Sequence, residues 1–392
     1  MRRLALTTAG ESHGPGLTAI LRGLPAGLDI DLERLRSDMR RRMHGYGRSG
    51  RMAIERDEVE IRGGLRDGRT LGSPVAIWIE NRDWESWREV MDPLSVEPAS
   101  AERRRIRTPR PGHADLAGSL KYLPDDPRDV LERASARESA ARVAAGAFAK
   151  CLLGVFGIEI RSGVRSLGPL GAEAPVPGWE DLLGVDDASP LRAIDRRLEP
   201  EMVALVDRMR DAGDTLGGSF TVIAHGVPAG LGSHVHWDEK LDGRLARALL
   251  SVPAVKAVEI GSALAASRGP GSAAHDAIER DEDGWSRPTN RAGGIEGGVS
   301  NGEDLVVTAY KKPISTLPGG LPSVDLDTLE PHRGQYERSD VTALPAAGVI
   351  GEAMVALELA DALLAKVGGD SMREVVAHYE ATLALQRAWP RR

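Results

Sequence analysis

Ten residues, Arg133-Ala-Ser-Ala-Arg-Glu-Ser-Ala-Ala-Arg142, combine a helix start with a cluster of cations. Ser135 with Glu138 three positions later, followed by an apolar run, forms a capping box, so a helix is expected to open near Ser135. Its first turn would present orphan backbone N–H groups and the positive end of the helix dipole. Arg133 and Arg137 sit at that same end, where acidic side chains would be favoured by a few tenths to about 1 kcal/mol each. Such an arrangement suits an anion, unless Glu132 and Glu138 neutralise the arginines. Just upstream, Arg107-Thr-Pro-Arg-Pro-Gly-His113-Ala-Asp115 is a rigid turn that places Arg110, His113 and Asp115 close together.

Three further stretches carry similar groups. Gly10-Glu-Ser-His-Gly14 matches the G-x-S-x-G pattern of a nucleophile elbow, but only nine residues precede it and Pro15-Gly16 breaks the helix that should follow. What remains is His13 on a glycine-flanked turn, where ring and backbone can both approach a ligand. Gly45-Tyr-Gly-Arg48-Ser-Gly-Arg51 follows a helix rather than a strand, which excludes a dinucleotide fingerprint and leaves a loop carrying Arg48 and Arg51. Gly63 to Thr70 lacks the lysine of a phosphate-binding loop, having Arg69 in its place. Near the C-terminal end, Asn290 to Gly302 is glycine-rich, Lys311-Lys-Pro-Ile-Ser-Thr316 offers cations and hydroxyls on a Pro-fixed turn, and Arg338-Ser-Asp340 precedes a long Ala-rich segment. No Cys/His/Asp/Glu set has zinc spacing and no calcium loop is present, so no metal is implied.

The elements that must position these groups follow from periodicity. Helices are expected over 29–43, starting at Asp29 or Asp31, then from Ser135 to about 150, over 200–212, 238–250 and 346–366. Strands are expected at 4–8, 58–62, 75–80, 158–162, 219–224, 255–263 and 305–310. Trp84 to Arg107 reads as a long polar surface loop, and Gly168 to Pro190 as an irregular connection.

Composition narrows the class. The 392 residues are 41% hydrophobic with three Phe and five Tyr, so Ala, Val, Leu and Ile must fill the core. A single cysteine, Cys151, rules out a disulfide framework and suits a reducing cytoplasm. The first residues lack the apolar stretch of a signal peptide, and no run approaches the ~20 residues of a membrane span, so a cytoplasmic protein is expected. Net charge is −7, although arginine far outnumbers lysine. An acidic total argues against nucleic acid, whereas local arginine pockets fit a small carboxylate or phosphate ligand.

Seven stretches, Gly10-Glu-Ser-His-Gly14, Gly45-Tyr-Gly-Arg48, Arg110-Pro-Gly-His-Ala-Asp115, Arg133-Ala-Ser-Ala-Arg-Glu138, Gly293-Gly-Ile-Glu-Gly-Gly298, Lys312-Pro-Ile-Ser-Thr316 and Arg338-Ser-Asp340, together closely resemble the motifs of chorismate synthases. The resemblance covers essentially the whole chain, in the same order. It implies an α+β fold, one domain over residues 1–392, built as a β-α-β sandwich with helices packed between antiparallel sheets, and a homotetramer. It also implies conversion of 5-enolpyruvylshikimate 3-phosphate to chorismate and phosphate, the last step of the shikimate pathway, with reduced FMN required and no net redox change. By the same resemblance His13 would protonate the departing phosphate, His113 the reduced flavin near N1, and Asp340 would assist proton transfer near N5. The flavin would be held by Arg133, Ala134, Ser135, Pro253, Ala254, Gly297, Lys312, Pro313, Ile314, Ser315, Thr316 and Arg338. Arg42, Arg48, Arg110, Arg137 and Arg338 would meet the anionic substrate; Arg42 and Arg48 also match positions associated with NADP. Thr342 stands where many members carry Cys. The nearest alternative is a flavin-dependent oxidoreductase acting on an anionic small molecule, which would consume reduced flavin steadily.

Overall fold

A computed structural model describes residues 2–48, 57–280, 284–337 and 340–390. Arg51 and Arg338 therefore lie outside the described residues. Two four-stranded antiparallel sheets form the outer layers. The N-terminal sheet has the order Ala5–Ala9, Gly16–Arg22, Val75–Glu80, Val59–Gly63, and the C-terminal sheet the order Glu159–Leu167, Gly218–His225, Leu305–Lys311, Val255–Ile260. Between them lie the helices Leu32–Met43, Ser139–Gly154 and Leu344–Val367. Ser139–Gly154 packs on the N-terminal sheet, Leu344–Val367 on the C-terminal sheet, and the two pack on each other. This is the helix layer between antiparallel sheets that the sequence resemblance implies.

Both central helices are buried on nearly every face, as their Ala-rich, unstriped sequences require of a helix with sheets or helices all round it. Small residues let the axes approach. A Cβ added to Gly146 would lie 2.3 Å from Cβ of Ala353, so glycine is needed at that crossing. One continuous core, from Leu17, Ile77 and Ile79 on one sheet through Phe148 to Phe220 and Val307 on the other, joins the layers. Each such side chain contributes about 1.5–3 kcal/mol on burial.

The layer also holds a buried polar knot. Glu352 accepts from Arg41 Nη2 (2.6 Å), Lys150 Nζ (2.7 Å) and Ser162 Oγ (2.6 Å), while Asp38 accepts from Arg41 Nη1 and Lys150 Nζ, both at 2.7 Å. Burial alone would raise the Glu352 carboxyl, but Arg41 and Lys150 outweigh it and hold the group well below the usual carboxylate range.

Several boundaries differ from the sequence expectation for local reasons. Ser135 caps a single 3-10 turn, Ala136–Glu138, and the long helix starts only at Ser139. The box is half formed because the Glu138 carboxylate turns to Thr8 Oγ1 (2.8 Å) and Arg142 Nε (2.9 Å) rather than back to the cap. Trp84 to Arg107 is not an irregular loop: it contains the helical turns Trp84–Ser86, Arg88–Met91 and Pro98–Arg104. Strand Gly16–Arg22 and helix Met372–Arg387 were not anticipated; the latter opens on a complete capping box between Ser371 and Glu374.

Candidate active site

A cavity of about 600 Å³ opens at one end of the helix layer, and the motifs converge on it. The N-terminal sheet supplies His13 from the turn joining Ala5–Ala9 to Gly16–Arg22. That turn is tight because Gly10 adopts φ +106°, where a Cβ would sit 2.3 Å from the Gly16 carbonyl. Arg133 braces it from outside the cavity, donating to the carbonyls of Gly10 (3.0 Å) and Thr8 (3.1 Å).

His13 is fixed on three sides. Its Nδ1 lies 2.9 and 2.8 Å from the two Glu132 carboxylate oxygens, and its backbone N–H donates to Glu132 Oε2 at 2.9 Å. Trp87 stacks on the ring at 3.8 Å between centroids. Arg128 Nη1 donates to Glu132 Oε1 at 3.1 Å. Burial would raise the Glu132 carboxyl, but the hydrogen bond from His13 and the Arg128 charge keep it low and ionised. A carboxylate can only accept, so Nδ1 carries the proton and Nε2 is the nitrogen left for a ligand.

His113 repeats the arrangement. Its Nδ1 lies 2.5 Å from Asp115 Oδ1, and Asp115 in turn accepts from Arg110 Nε (2.8 Å), Nη2 (3.1 Å) and backbone N–H (3.1 Å). Asp115 is fully buried, yet the hydrogen bonds from His113 and Arg110 overcome that burial and hold its carboxyl far below the usual range. Arg110 Nη1 donates to Thr316 Oγ1 at 2.9 Å, so this guanidinium ties the histidine turn to the Ile314–Thr316 wall.

Arg42 and Arg137 converge on a carboxylate that no local pattern singles out. Asp57 Oδ2 accepts from Arg42 Nη1 and Oδ1 from Arg137 Nη1, each at 2.7 Å. The arginines outweigh burial and hold the Asp57 carboxyl low. Arg48 Nε lies 3.2 Å from Asp340 Oδ2 on the same cavity wall. Ser12 and Ser135 face each other at 3.2 Å between their hydroxyls. Ser12 is thus engaged by another serine, while His13 Nδ1 is engaged by Glu132, which is not the geometry of a serine nucleophile and its base.

Of the residues singled out from sequence, His13, His113, Asp340, Arg42, Arg48, Arg110, Arg137, Ala134, Ser135, Pro253, Ala254, Lys312, Ile314, Ser315 and Thr316 all line the cavity. Pro313 lies between two of them. Arg133 and Gly297 are not on its wall; Gly297 turns the small hairpin between Ile295–Glu296 and Val299–Ser300. Sequence reasoning missed Glu132 as a histidine partner, Trp87 and Asp57. For Glu132 a signal existed: Arg128 precedes it by one helical turn, so the carboxylate could be paired and still face inward.

Small side chains, Ala254, Ala343, Ala346 and Ala347, leave room for a flat ligand between the cationic walls. The arrangement can hold a polyanion and deliver protons from two separate imidazoles.

A family model described as chorismate synthase matches residues 4–364. The chain is 52% identical over 394 residues to the chorismate synthase of Geobacter sulfurreducens, covering 98% of this chain and 100% of that protein. It is 54% identical over 368 residues to that of Moorella thermoacetica, covering 94% and 95% respectively. A solved crystal structure of a chorismate synthase superposes with a TM-score of 0.79 at 40% identity, covering 99% of this chain and 100% of that one.

Proposed function

The chain belongs to the chorismate synthase family, a lyase converting 5-enolpyruvylshikimate 3-phosphate to chorismate and phosphate, and we propose that the cavity described above is where it does so. The observation that carries the site assignment is the pair of imidazoles, each backed by a buried carboxylate and an arginine, facing one cationic cavity.

The substrate carries a phosphate and two carboxylates, and Arg42, Arg48 and Arg137 offer fixed charges to meet them. Arg338 is assigned to the same role from sequence. Arg110, held by Asp115 and Thr316, contributes by fixing His113. His13 keeps a proton on Nδ1 against Glu132, so it is the doubly protonated ring that gives up its Nε2 proton to the departing phosphate as general acid. His113, its Nδ1 held by Asp115, is the second proton donor, and Asp340, paired with Arg48, assists proton transfer.

The family requires reduced FMN, and this chain's residues fit it. The volume lies within the ~300–1,000 Å³ of ligand sites, the alanine wall admits a flat ring system, and Lys312, Ser315 and Thr316 offer polar contacts. When bound, reduced flavin supplies transient electron density that helps expel phosphate and is recovered by the end of turnover. Ala134, Ser135, Pro253, Ala254 and Lys312 to Thr316 are the residues we assign to it; Arg133 would act indirectly, through the His13 turn, and Gly297 would not touch a ligand held by this chain alone. For NADP, Arg42 and Arg48 remain the candidate contacts, but their pairing with Asp57 and Asp340 inside the cavity favours the substrate role.

We further propose one domain over residues 1–392, a homotetramer and a cytoplasmic location. Among the described residues no helix is long and apolar enough to cross a membrane. The test is anaerobic phosphate release from 5-enolpyruvylshikimate 3-phosphate, with and without photoreduced FMN. Release only with reduced flavin, without stoichiometric flavin oxidation, is the expected result; flavin oxidation matching product would favour the oxidoreductase.

A further inference from the structure

One buried cation has no part in the roles above. Lys311 ends the strand Leu305–Lys311, whose inward-facing residues Leu305, Val307 and Ala309 belong to the main core. Alternation brings the next inward side chain to position 311, where an apolar residue would continue the pattern. A register shift against Val255–Ile260 falls between Tyr310 and Lys311, so the strand bends as it delivers this side chain. Lys311 is only 8% exposed and lines the cavity. Its ammonium makes no hydrogen bond or ion pair with any described residue, and the nearby Asp340 is paired with Arg48.

A buried charge on an otherwise apolar face persists only with a compensating partner, and departures from patterning concentrate where a ligand supplies it. We propose that Lys311 is a ligand-binding residue whose ammonium meets a carboxylate or phosphate oxygen of the bound anion on the inner wall of the cavity. This rests on the cavity being the substrate and flavin site.

The charged groups around Lys311 define how binding should respond to pH. Lys312 follows it on the chain, and Arg48 and Asp340 face it from the segments packed against the strand. Burial first, then Lys312 and Arg48, push the ammonium down to about 8 against the pull of Asp340. A bound anion favours the charged form, so affinity is full below about pH 8 and declines above it, by up to about tenfold per pH unit for one proton.

The anion could be contributed by the shikimate ester or by the flavin, and the experiment separates them. Full-length wild type, Lys311→Met and Lys312→Met are titrated with 5-enolpyruvylshikimate 3-phosphate by calorimetry and with FMN by fluorescence, each ligand alone and with the other present, between about pH 6.5 and about pH 9.5. In wild type the affinity for the ligand that touches Lys311 falls above about pH 8; in Lys311→Met it is about tenfold weaker at pH 7 and loses that limb, whereas Lys312→Met retains a limb moved to higher pH, because a charge that pushes Lys311 down is gone. Because methionine fills the same space without a charge, Lys311→Met should melt no lower than wild type. Should it fail to fold, Lys311→Gln replaces it. Wild-type affinity and an intact alkaline limb for both ligands in the Lys311 variant would overturn the proposal. Failure of wild type to bind either ligand would instead overturn the reading of the cavity on which it rests.

Discussion

The carboxylate of Glu132 grips His13 by ring and backbone together, at 2.8 and 2.9 Å from Nδ1 and at 2.9 Å from the His13 amide. The contact fixes both the tautomer and the angle of the imidazole, and Arg128 keeps the carboxylate charged. Glu132→Gln retains the size and can still accept from the amide, but offers only one acceptor oxygen and no charge. Turnover is expected to fall about 10²-fold with KM and FMN affinity within a few fold, since comparable orienting partners are worth about 10–100-fold. Stopped-flow measurement under anaerobic conditions reads kcat and KM separately; an unchanged kcat would remove the positioning role.

His113 leads to a matching but separable expectation. His113→Ala removes one proton donor while Asp115 remains satisfied by Arg110, so the chain should fold, bind FMN and lose at least about 10²-fold in kcat. Asp115→Asn should cost more than turnover. It leaves the buried Arg110 guanidinium without its counter-charge and loosens the tie to Thr316, so the melting temperature should drop as well. Equal melting of the two variants would show that Asp115 serves the histidine alone.

Much of this site was legible in the chain because its parts are local. Arg110, His113 and Asp115 lie within six residues, and a turn that short leaves them little choice but to meet. Strands such as Val75–Glu80 and the helix capped by Asp31 were equally readable, since alternation and capping are properties of neighbours. Other features depend on tertiary packing. Asp57 is drawn in by two arginines, 15 and 80 positions away in sequence, and nothing in its own surroundings signals that. Trp87 sits in a polar stretch and acquires its role only when the N-terminal turn lays His13 against it. The direction of the Arg133 guanidinium is set by the carbonyls of Thr8 and Gly10, which proximity to a helix start in sequence does not reveal.

Acid should reach the polar knot of the helix layer before it reaches the apolar core. Glu352 has a folded-state value depressed below its unfolded value near about 4.3. Its contribution is therefore fully present above that range and is lost as pH falls through it towards the folded value. Glu352→Gln should destabilise the chain by about 3–5 kcal/mol at pH 7, because Arg41 and Lys150 stay buried without their shared counter-charge. Below about pH 4 the difference from wild type should narrow, since protonation imposes on the wild type part of what the substitution imposes at every pH. Urea unfolding across that range measures both; a gap that stays constant would show that Glu352 does not titrate with folding.

The helix crossing offers a test of packing that leaves every charged group in place. At Gly146 an added methyl would lie 2.3 Å from Cβ and 2.6 Å from Cα of Ala353, contacts that side-chain rotation cannot relieve. Gly146→Ala gains helix propensity of about 1 kcal/mol, yet the clash must push the helices apart at the centre of the sandwich, and overpacking of this kind costs about 1–3 kcal/mol or more. The net change is expected to be destabilising. Removing the opposing methyl with Ala353→Gly in the same chain should recover part of the loss, whereas Ala353→Gly alone should destabilise by opening a gap and weakening its helix. A double-mutant cycle by denaturant unfolding reads the coupling directly. Additive effects of the two substitutions would show that the layers accommodate the methyl elsewhere; a favourable coupling would show that the helix separation, and with it the width of the cavity wall at Ala346 and Ala347, is set by these two small residues.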